Sequence, residues 1–405
     1  MGASQQAPQV YVDCPGGHCD LDYIQTQVAF VHYVRDPAQA EVYVLVTTQP
    51  TGAGGVAYTL TFQGRRRFAG LLDTLRFALP PQSAADTERR KLAQMLRLGL
   101  TRYAARTPIA DQLRLVHESP SDATNPAPPR DRWKNWVFSL SANGFFSGEQ
   151  SQRYANYYGA LSARHITPDW KFTLTVAYNH GWSLFKLGGR DLRTTNWSQS
   201  VNALLVRSLG SHGSAGAFAG LARSTFNNLA WSVDFKPAFE YNLFPYAEAT
   251  RRQFRILYRV GPSWSRYREE TIFGKTAEGL WAQHLTLALE FREPWGSASA
   301  SVEGLNYFHD WGKRRLTFWG SVNLRLLKGL GLDLSGRLSW IQDQLSLPRR
   351  GATEEEVLLR QRQLATHYHY WINLGLTYTF GAIYTAVVNP RFGSTSGRGV
   401  QIILQ

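Results

Sequence analysis

Apolar and polar side chains alternate along three long segments near the end of the chain. Residues 316–326 carry apolar residues or glycine at the even positions and mostly polar residues at the odd positions, and 332–340 and 372–380 repeat the pattern. Successive side chains of a β-strand point to opposite faces, so each segment predicts a strand with one apolar and one hydrophilic face. Long strands of this kind are typical of a transmembrane β-barrel, whose outer face meets lipid and whose inner face meets water.

The same alternation recurs from residue 132 onward. It is clear in 136–142, 172–178, 231–241, 254–260 and 285–291, and fainter, with more Ala and Gly, near 152–166, 193–209, 212–226 and 296–308. The predicted fold class is therefore mainly β, an antiparallel transmembrane β-barrel of about 12 strands.

The first part of the chain predicts a different architecture. Short strand patterns near 10–12, 41–48 and 56–62 are combined with helical patterns at 20–30 and 86–106, as in a small α/β domain. A Pro-rich segment with the composition of a linker follows. We therefore expect an α/β domain over 1–118, a linker over 119–131, the barrel over 132–381 and a C-terminal tail over 382–405.

The predicted connections differ in length at the two ends of the barrel. At the end where the first strand begins, called the near end, they are short: 166–169, 209–213, 244–249, 292–296 and 327–331. At the opposite, far end they include 184–196, 262–279 and 342–366, the last with a capping box at 353–356 that predicts a surface helix. Short inner turns, longer outer loops and an even strand number predict an outer-membrane protein with its α/β domain and tail in the periplasm.

Composition agrees with this fold. The 405-residue chain has 13% aromatic residues, 35 Gly and a mean hydropathy of -0.30, and no run approaches the roughly 20 apolar residues of a membrane helix. A barrel needs apolar residues at alternate positions only, so its mean hydropathy stays near that of soluble proteins. The formal net charge is +14, but no basic cluster lies in a nucleic-acid motif, so the expected partners are outer-membrane lipid and a periplasmic or outer-membrane protein.

The two cysteines, Cys14 and Cys19, lie in a short Gly-rich loop. Such a loop favours a disulfide in an oxidising periplasm. Free thiols remain an alternative, as does a metal site with His18, although two thiols and one His fall short of the usual four ligands. We expect neither a metal nor a cofactor.

Motifs in both parts of the chain carry a family resemblance. They are Val12-Asp-Cys14, Tyr33-Val-Arg-Asp36, Tyr58-Thr-Leu-Thr-Phe62, Glu293-Pro-Trp-Gly296, Lys328-Gly-Leu-Gly331, Asp343-Gln344, the stretch 353–364, Tyr378-Thr-Phe-Gly381 and the stretch 387–393. On these motifs the chain resembles an uncharacterised family of Gram-negative outer-membrane β-barrel proteins with an N-terminal periplasmic α/β domain. The resemblance implies fold and location, and it carries no established activity.

The first functional hypothesis is a narrow channel for small solutes. Inward positions of the predicted strands carry charges of both signs with a small basic excess, which favours small anions. Since about eight strands leave a filled interior and 16–18 an open one, the alternative that these charges pair and close the interior stays open. The candidate lumen residues are Lys134, Arg164, Asp234, Lys236, Glu240, Arg255, Arg259, Glu290, Glu303, Arg325, Asp333 and Arg337.

Two other classes of function are weighed against the channel. A membrane-embedded lipid hydrolase needs a nucleophile and a base on one face, whereas the separation of His180 and Ser183 by three residues sends them to opposite faces of a strand. We therefore expect no enzymatic activity. A structural anchor, whose periplasmic domain docks a partner, is the stronger alternative, because a simple pore does not need a separate domain of about a hundred residues.

Overall fold

The computed structural model describes residues 7–15, 19–114, 133–187, 190–293, 295–327, 330–350 and 364–380. The predicted linker, the surface helix from residue 353, the C-terminal tail and His18 lie outside the described residues. Among the described residues, no helix is both long and apolar enough to cross a membrane.

The N-terminal part is a mixed five-stranded sheet with two helices. Its strands, β1 Gln9–Asp13, β2 His32–Tyr33, β3 Val42–Pro50, β4 Val56–Gly64 and β5 Leu72–Leu79, lie in the order β2-β1-β3-β4-β5, with β1 parallel to β2 and β3. The helices are α1 Leu21–Gln27 and α2 Ala85–Ala104, and short 3-10 helices occupy Arg66–Phe68 and Pro108–Gln112. The Asp20 carboxylate accepts the Tyr23 backbone N–H, so it caps α1 as the sequence predicts.

The core of this part lies between the sheet and the two helices. Val42, Val44 and Phe62 point from the sheet toward Leu96 and Leu100 of α2, and all five are fully buried. This is the face that the alternating Val and Leu positions of β3 and β4 predict.

The opposite face of β3 is buried as well. Tyr43, Leu45 and Thr47 alternate with the core residues and therefore point away from the helices, yet each is less than a tenth exposed. A central strand that is buried on both sides needs a layer on each side. On this side the near end of the larger sheet contacts the N-terminal part beside Tyr43 and at the loop after β3.

The larger part of the chain is an antiparallel sheet of 12 strands. Each strand pairs with its neighbours in sequence, so the sheet runs in order from β6 to β17. Its strands are β6 Trp136–Gly148, β7 Gln152–Ile166, β8 Trp170–Leu187, β9 Arg190–Ser208, β10 Gly213–Ser224, β11 Leu229–Asn242, β12 Arg252–Tyr267, β13 Ala277–Glu293, β14 Gly296–Tyr307, β15 Asp310–Leu327, β16 Leu330–Ile341 and β17 Tyr368–Tyr378. A short 3-10 helix, Tyr246–Glu248, precedes β12.

The strand number and the antiparallel order agree with the prediction from the sequence. The predicted closure of the sheet into a barrel is not observed among the described strands. Within the described residues, β6 and β17 form the two edges of the sheet and do not pair with each other. Both edge strands are exposed along almost their whole length.

Two predicted loops are wrong. Most of 184–196 is strand, because β8 continues to Leu187 and β9 begins at Arg190. The predicted loop 262–279 is shorter, because β12 continues to Tyr267 and β13 begins at Ala277. At the far end β8 stays paired with β7 as far as Phe185, and polar residues of β9 continue the ladder with β8. The alternation of apolar and polar residues also does not predict β2 and β5, two edge strands whose patterns are short or interrupted by charges.

Candidate functional site: the charged face of the large sheet

The strand register assigns every side chain of the large sheet to one of two faces. Directly opposed residues share a face, and Glu240 opposes Ser214 while Arg259 opposes His284. Followed from β7 to β16, these pairs bring the predicted lumen residues onto a single face, which we call the charged face. They are Arg164, Asp234, Lys236, Glu240, Arg255, Arg259, Glu290, Glu303, Arg325, Asp333 and Arg337, whereas Lys134 lies in the turn before β6.

The other face, which we call the apolar face, is the more exposed of the two. On β11, Phe235 and Phe239 are each 51% exposed. The side chains of Lys236 and Glu240, which alternate with them, are only 14% and 19% exposed. A sheet that folds in water covers its apolar face and leaves its polar face solvated. Here the polarity is inverted, as in a sheet that surrounds its own polar interior.

Aromatic residues on the apolar face lie at two levels. Near-end positions of the strands carry Trp136, Phe172, Tyr241, Phe254, Phe291 and Tyr378, and far-end positions carry Trp182, Trp197, Trp231, Trp264, Trp281, Trp340 and Tyr368. Most residues between these levels are Leu, Val, Ile or Ala. Aromatic girdles that flank an apolar band are characteristic of the two interfaces of a membrane.

Most charges on β11 to β15 are neutralised on the charged face itself. Lys236 lies 3.0 Å from Asp234, and Glu240 lies 3.7 Å from Arg255. Glu303 bridges two strands, since its carboxylate accepts from Arg259 at 3.1 Å and lies 3.6 Å from His284. In the same region Glu290 pairs with Arg292, Asp333 accepts from Asn323, and Arg315 pairs with Asp343 at 2.9 Å.

A second region of the charged face carries cations without carboxylate partners. Arg164 and Arg337 form no ion pair with a described residue, and neither does Lys171. Arg337 lies between Trp319 and Trp371 on the two adjacent strands. These three cations lie on β7, β8 and β16, the strands close to the two edges of the sheet.

Arg325 does not point into an open lumen but holds the N-terminal part. Its guanidinium lies 2.8 Å from the Asp13 carboxylate, which is almost fully buried and also accepts a hydrogen bond from the Tyr43 hydroxyl. It also lies over the ring of Tyr11, which stacks on Tyr43, and Arg65 covers the other side of Tyr43. Burial, and to a lesser extent the Asp13 charge, raise the pKa of Tyr43, so the hydroxyl stays protonated as the donor.

A second contact joins the β3–β4 loop to the first strands of the large sheet. A Cβ built on Gly52 would lie 2.8 Å from the Cβ of Ile166, and one on Gly54 would lie 4.0 Å from Cγ1 of Val137. Val137 begins β6 and Ile166 ends β7, so the contact lies at the near end, as does Arg325. The N-terminal part is thus seated on the near end at two separate points.

The remaining predicted chemistry is placed as follows. Cys14 and Cys19 form a disulfide with their Cα atoms 6.1 Å apart. His180 lies on the apolar face and Ser183 on the charged face. Within the described part of the chain, no group of three or more His, Cys, Asp or Glu side chains is arranged to hold a metal ion.

Sequence reasoning missed several residues of the charged face. Lys171 and Trp319 alternate in phase with residues that were selected, so strand parity alone was sufficient to find them. His284 alternates in phase with Glu290, but its proximity to Glu303 follows only from the register of β13 and β14. Asp13 belongs to the other sheet, and no pattern in the sequence connects it with the large sheet.

No protein-family model matches the sequence, and no curated protein matches it.

Proposed function

We propose that the chain is an outer-membrane β-barrel protein whose 12 strands close around the charged face and whose N-terminal domain covers the near mouth from the periplasm. The main support for this proposal is that the apolar face of the large sheet is more exposed than the charged face. An apolar face that is half exposed on strand after strand requires a hydrocarbon environment, and the aromatic girdles match its two boundaries.

The two contacts of the N-terminal domain support closure. Asp13 pairs in register with Leu45, and about 23 Å of extended strand separates Leu45 from Gly52 at about 3.3 Å per residue. With one strand spacing of about 5 Å added, Asp13 and Gly52 are at most about 28 Å apart. These two points touch β15 and β7, which are eight strand spacings apart along the sheet, or about 38 Å if it were flat. Across a seam between β17 and β6 only four spacings separate them, about 19 Å.

In the proposed barrel the small domain therefore spans the seam between β17 and β6, two strands that the curvature of the sheet brings close together. β6 begins at the near end and β17 ends there, so the two strands are antiparallel to each other, as closure requires. An unpaired strand edge within a bilayer leaves backbone groups without partners, which is strongly unfavourable.

Hydrogen exchange tests insertion and closure together. For full-length protein in lipid vesicles, we expect the amides of β6 and β17 to exchange as slowly as those of β11 and β12, because all of them are in ladder hydrogen bonds. Fast exchange confined to β6 and β17 would refute closure. Protein that does not associate with the vesicles would refute the membrane location itself.

The function that this barrel supports best is a narrow channel for small anionic solutes. Four charged-face carboxylates on β11 to β14 pair with neighbouring cations: Asp234, Glu240, Glu290 and Glu303. Arg164, Lys171 and Arg337 form no ion pair with a described residue, and on their strands they outnumber the one charged-face carboxylate, Asp333. The interior potential along these strands is therefore positive, and a narrow low-dielectric passage focuses it.

Planar-bilayer recordings across a salt gradient test the channel. We expect unitary currents with a reversal potential on the anion-selective side, and a shift toward zero in the Arg164→Gln, Arg337→Gln double variant. Arg266→Gln is the matched control, because Arg266 lies on the apolar face and forms no ion pair with a described residue. Absence of currents from protein that has inserted into the bilayer would exclude the channel.

An anchoring role is the second candidate, and one observation favours it. Among the described strands β5 is an edge of the N-terminal sheet, and Leu72 at its start is 64% exposed, so this edge can pair with an added strand. We expect a partner that uses this edge to be lost from affinity-purified full-length protein when Arg76 and Thr74, on β5, are replaced by Pro. Unchanged recovery of associated proteins would count against this role.

A further inference from the structure

A polar row crosses the apolar face at a place where hydrocarbon is expected. The Tyr258 hydroxyl donates to Oε1 of Gln283 at 2.7 Å, and Nε2 of Gln283 donates to Oδ1 of Asn306 at 3.0 Å. The side-chain oxygens of Gln283 and Asn306 each accept one of these hydrogen bonds, so the row ends on the Nδ2 donor of Asn306. No described residue accepts a hydrogen bond from that nitrogen. The row thus ends on a donor that lacks an acceptor oxygen.

The same residues line a groove of about 760 Å³ on the apolar face. Its floor is Gly304, where a built Cβ would meet nothing within 4 Å. Leu285 and Leu316 oppose Gly304 on the two adjacent strands and form the walls. A glycine between two leucines leaves a slot that is one side chain deep and two strand spacings, or about 10 Å, wide. Such a slot fits a hydrocarbon chain that lies along the strands.

The far end of the groove is cationic and aromatic. Nε of Arg314 donates to Oε1 of Gln342 at 3.1 Å, which fixes the guanidinium, and no carboxylate of the described residues forms an ion pair with it. Trp311 and Trp340 line the groove at this level. Their position at the far ends of the strands is where a lipid headgroup meets water.

We propose that this groove binds a phosphate-bearing lipid of the far leaflet. The acyl chain lies in the Gly304 slot beside the polar row, and the phosphate meets the Arg314 guanidinium. Guanidinium and phosphate form charge-assisted hydrogen bonds, and the acyl chain replaces the missing side chain at Gly304. The inference rests on the proposed membrane location and is independent of whether the barrel conducts.

Native mass spectrometry of the full-length protein in a non-ionic detergent tests the groove. The probes are dioleoyl phosphatidic acid and dioleoylglycerol, which has the same chains without the phosphate. We expect one phosphatidic acid to bind saturably, and Arg314→Gln to weaken its binding about tenfold, as loss of a charge-assisted contact predicts. Dioleoylglycerol binding should be weaker and unchanged by Arg314→Gln.

Two further variants separate the headgroup from the slot. Gly304→Leu fills the slot, so both probes should lose their saturable binding, while circular dichroism confirms an intact sheet. Arg266→Gln removes another far-end arginine of the apolar face outside the groove, and it should leave both affinities unchanged.

Non-saturable binding, or equal losses in Arg314→Gln and Arg266→Gln, would overturn the proposal. A dimer mass without lipid would overturn it in favour of a second copy that covers the groove. If the protein inserts into vesicles but shows no saturable site, only the proposal of lipid binding in the groove is refuted. If the protein does not insert, the proposed membrane location is refuted.

Discussion

The contact between Arg325 and Asp13 provides the sharpest test of how the two sheets are joined. The Asp13 side chain is 9% exposed, and its carboxylate has two donors, the Arg325 guanidinium and the Tyr43 hydroxyl. Arg325→Ala removes the charged donor and also the cation over the ring of Tyr11, while the helix-facing core of the N-terminal domain is untouched. The variant should therefore weaken docking without unfolding either sheet.

The magnitude follows from burial. Removal of one partner from a fully buried ion pair costs about 3–5 kcal/mol, because the remaining charge stays unpaired. The Arg325 side chain retains 24% exposure, so water compensates in part and about 2–3 kcal/mol is expected. Loss of the cation–π contact adds about 0.5–1 kcal/mol. Since 1.4 kcal/mol is a factor of ten, the undocked fraction should rise by about 100-fold.

Thiol accessibility measures this fraction. Thr47 is 6% exposed and points away from the helices, so the thiol introduced by Thr47→Cys reacts with a maleimide only when the domain undocks. The alkylation rate should rise about 100-fold in Arg325→Ala. The control is Arg349→Ala, which breaks a surface pair with Glu270 whose side chains are 69% and 44% exposed, and it should change nothing. Equal rates in the two variants would refute the docking role of Arg325.

Three further predictions concern the N-terminal domain. Gly52→Ala should raise the same alkylation rate, because its Cβ lacks room against the large sheet, whereas Gly304→Ala, which meets nothing within 4 Å, should not. Cys14→Ser opens the loop closed by the bond to Cys19, and urea unfolding should show a loss of about 2 kcal/mol, while no loss would contradict the loop-entropy argument. Burial raises the pKa of Tyr33 above its ordinary value near 10, so the unfolded state loses that proton first as the pH rises. Stability should therefore be constant below about pH 10 and fall above it, and Tyr33→Phe should reduce the slope in urea unfolding at pH 9 to 11.5.

Strand parity accounts for what the sequence predicts well. Because side chains alternate strictly along a strand, the positions of Arg255, Glu303 and Asp333 relative to their apolar neighbours fix a common face before any pairing is known. The strand number follows from the same alternation, and the α1 cap follows from one local interaction. The predicted loop at 184–196 is wrong because polar residues that continue a strand ladder resemble loop residues in sequence.

Interactions between distant parts of the chain account for what the sequence left open. Asp13 and Arg325 are separated by more than three hundred residues, and nothing local distinguishes Arg325 from Arg337. Arg325 binds the N-terminal domain, whereas Arg337 lies between two tryptophans and forms no ion pair with a carboxylate of the described residues. Likewise, Gly304 becomes the floor of a groove only because the register sets Leu285 and Leu316 on either side of it.

Which side chains share a face therefore follows from the amino-acid sequence, because alternation is a property of each strand alone. Which charges are neutralised, where the N-terminal domain is seated and where the apolar face is interrupted follow from the folded structure, because each depends on the register between strands and on the curvature of the sheet. A shift of two residues in any ladder would keep every side chain on its face and exchange the partners of every charge on that strand.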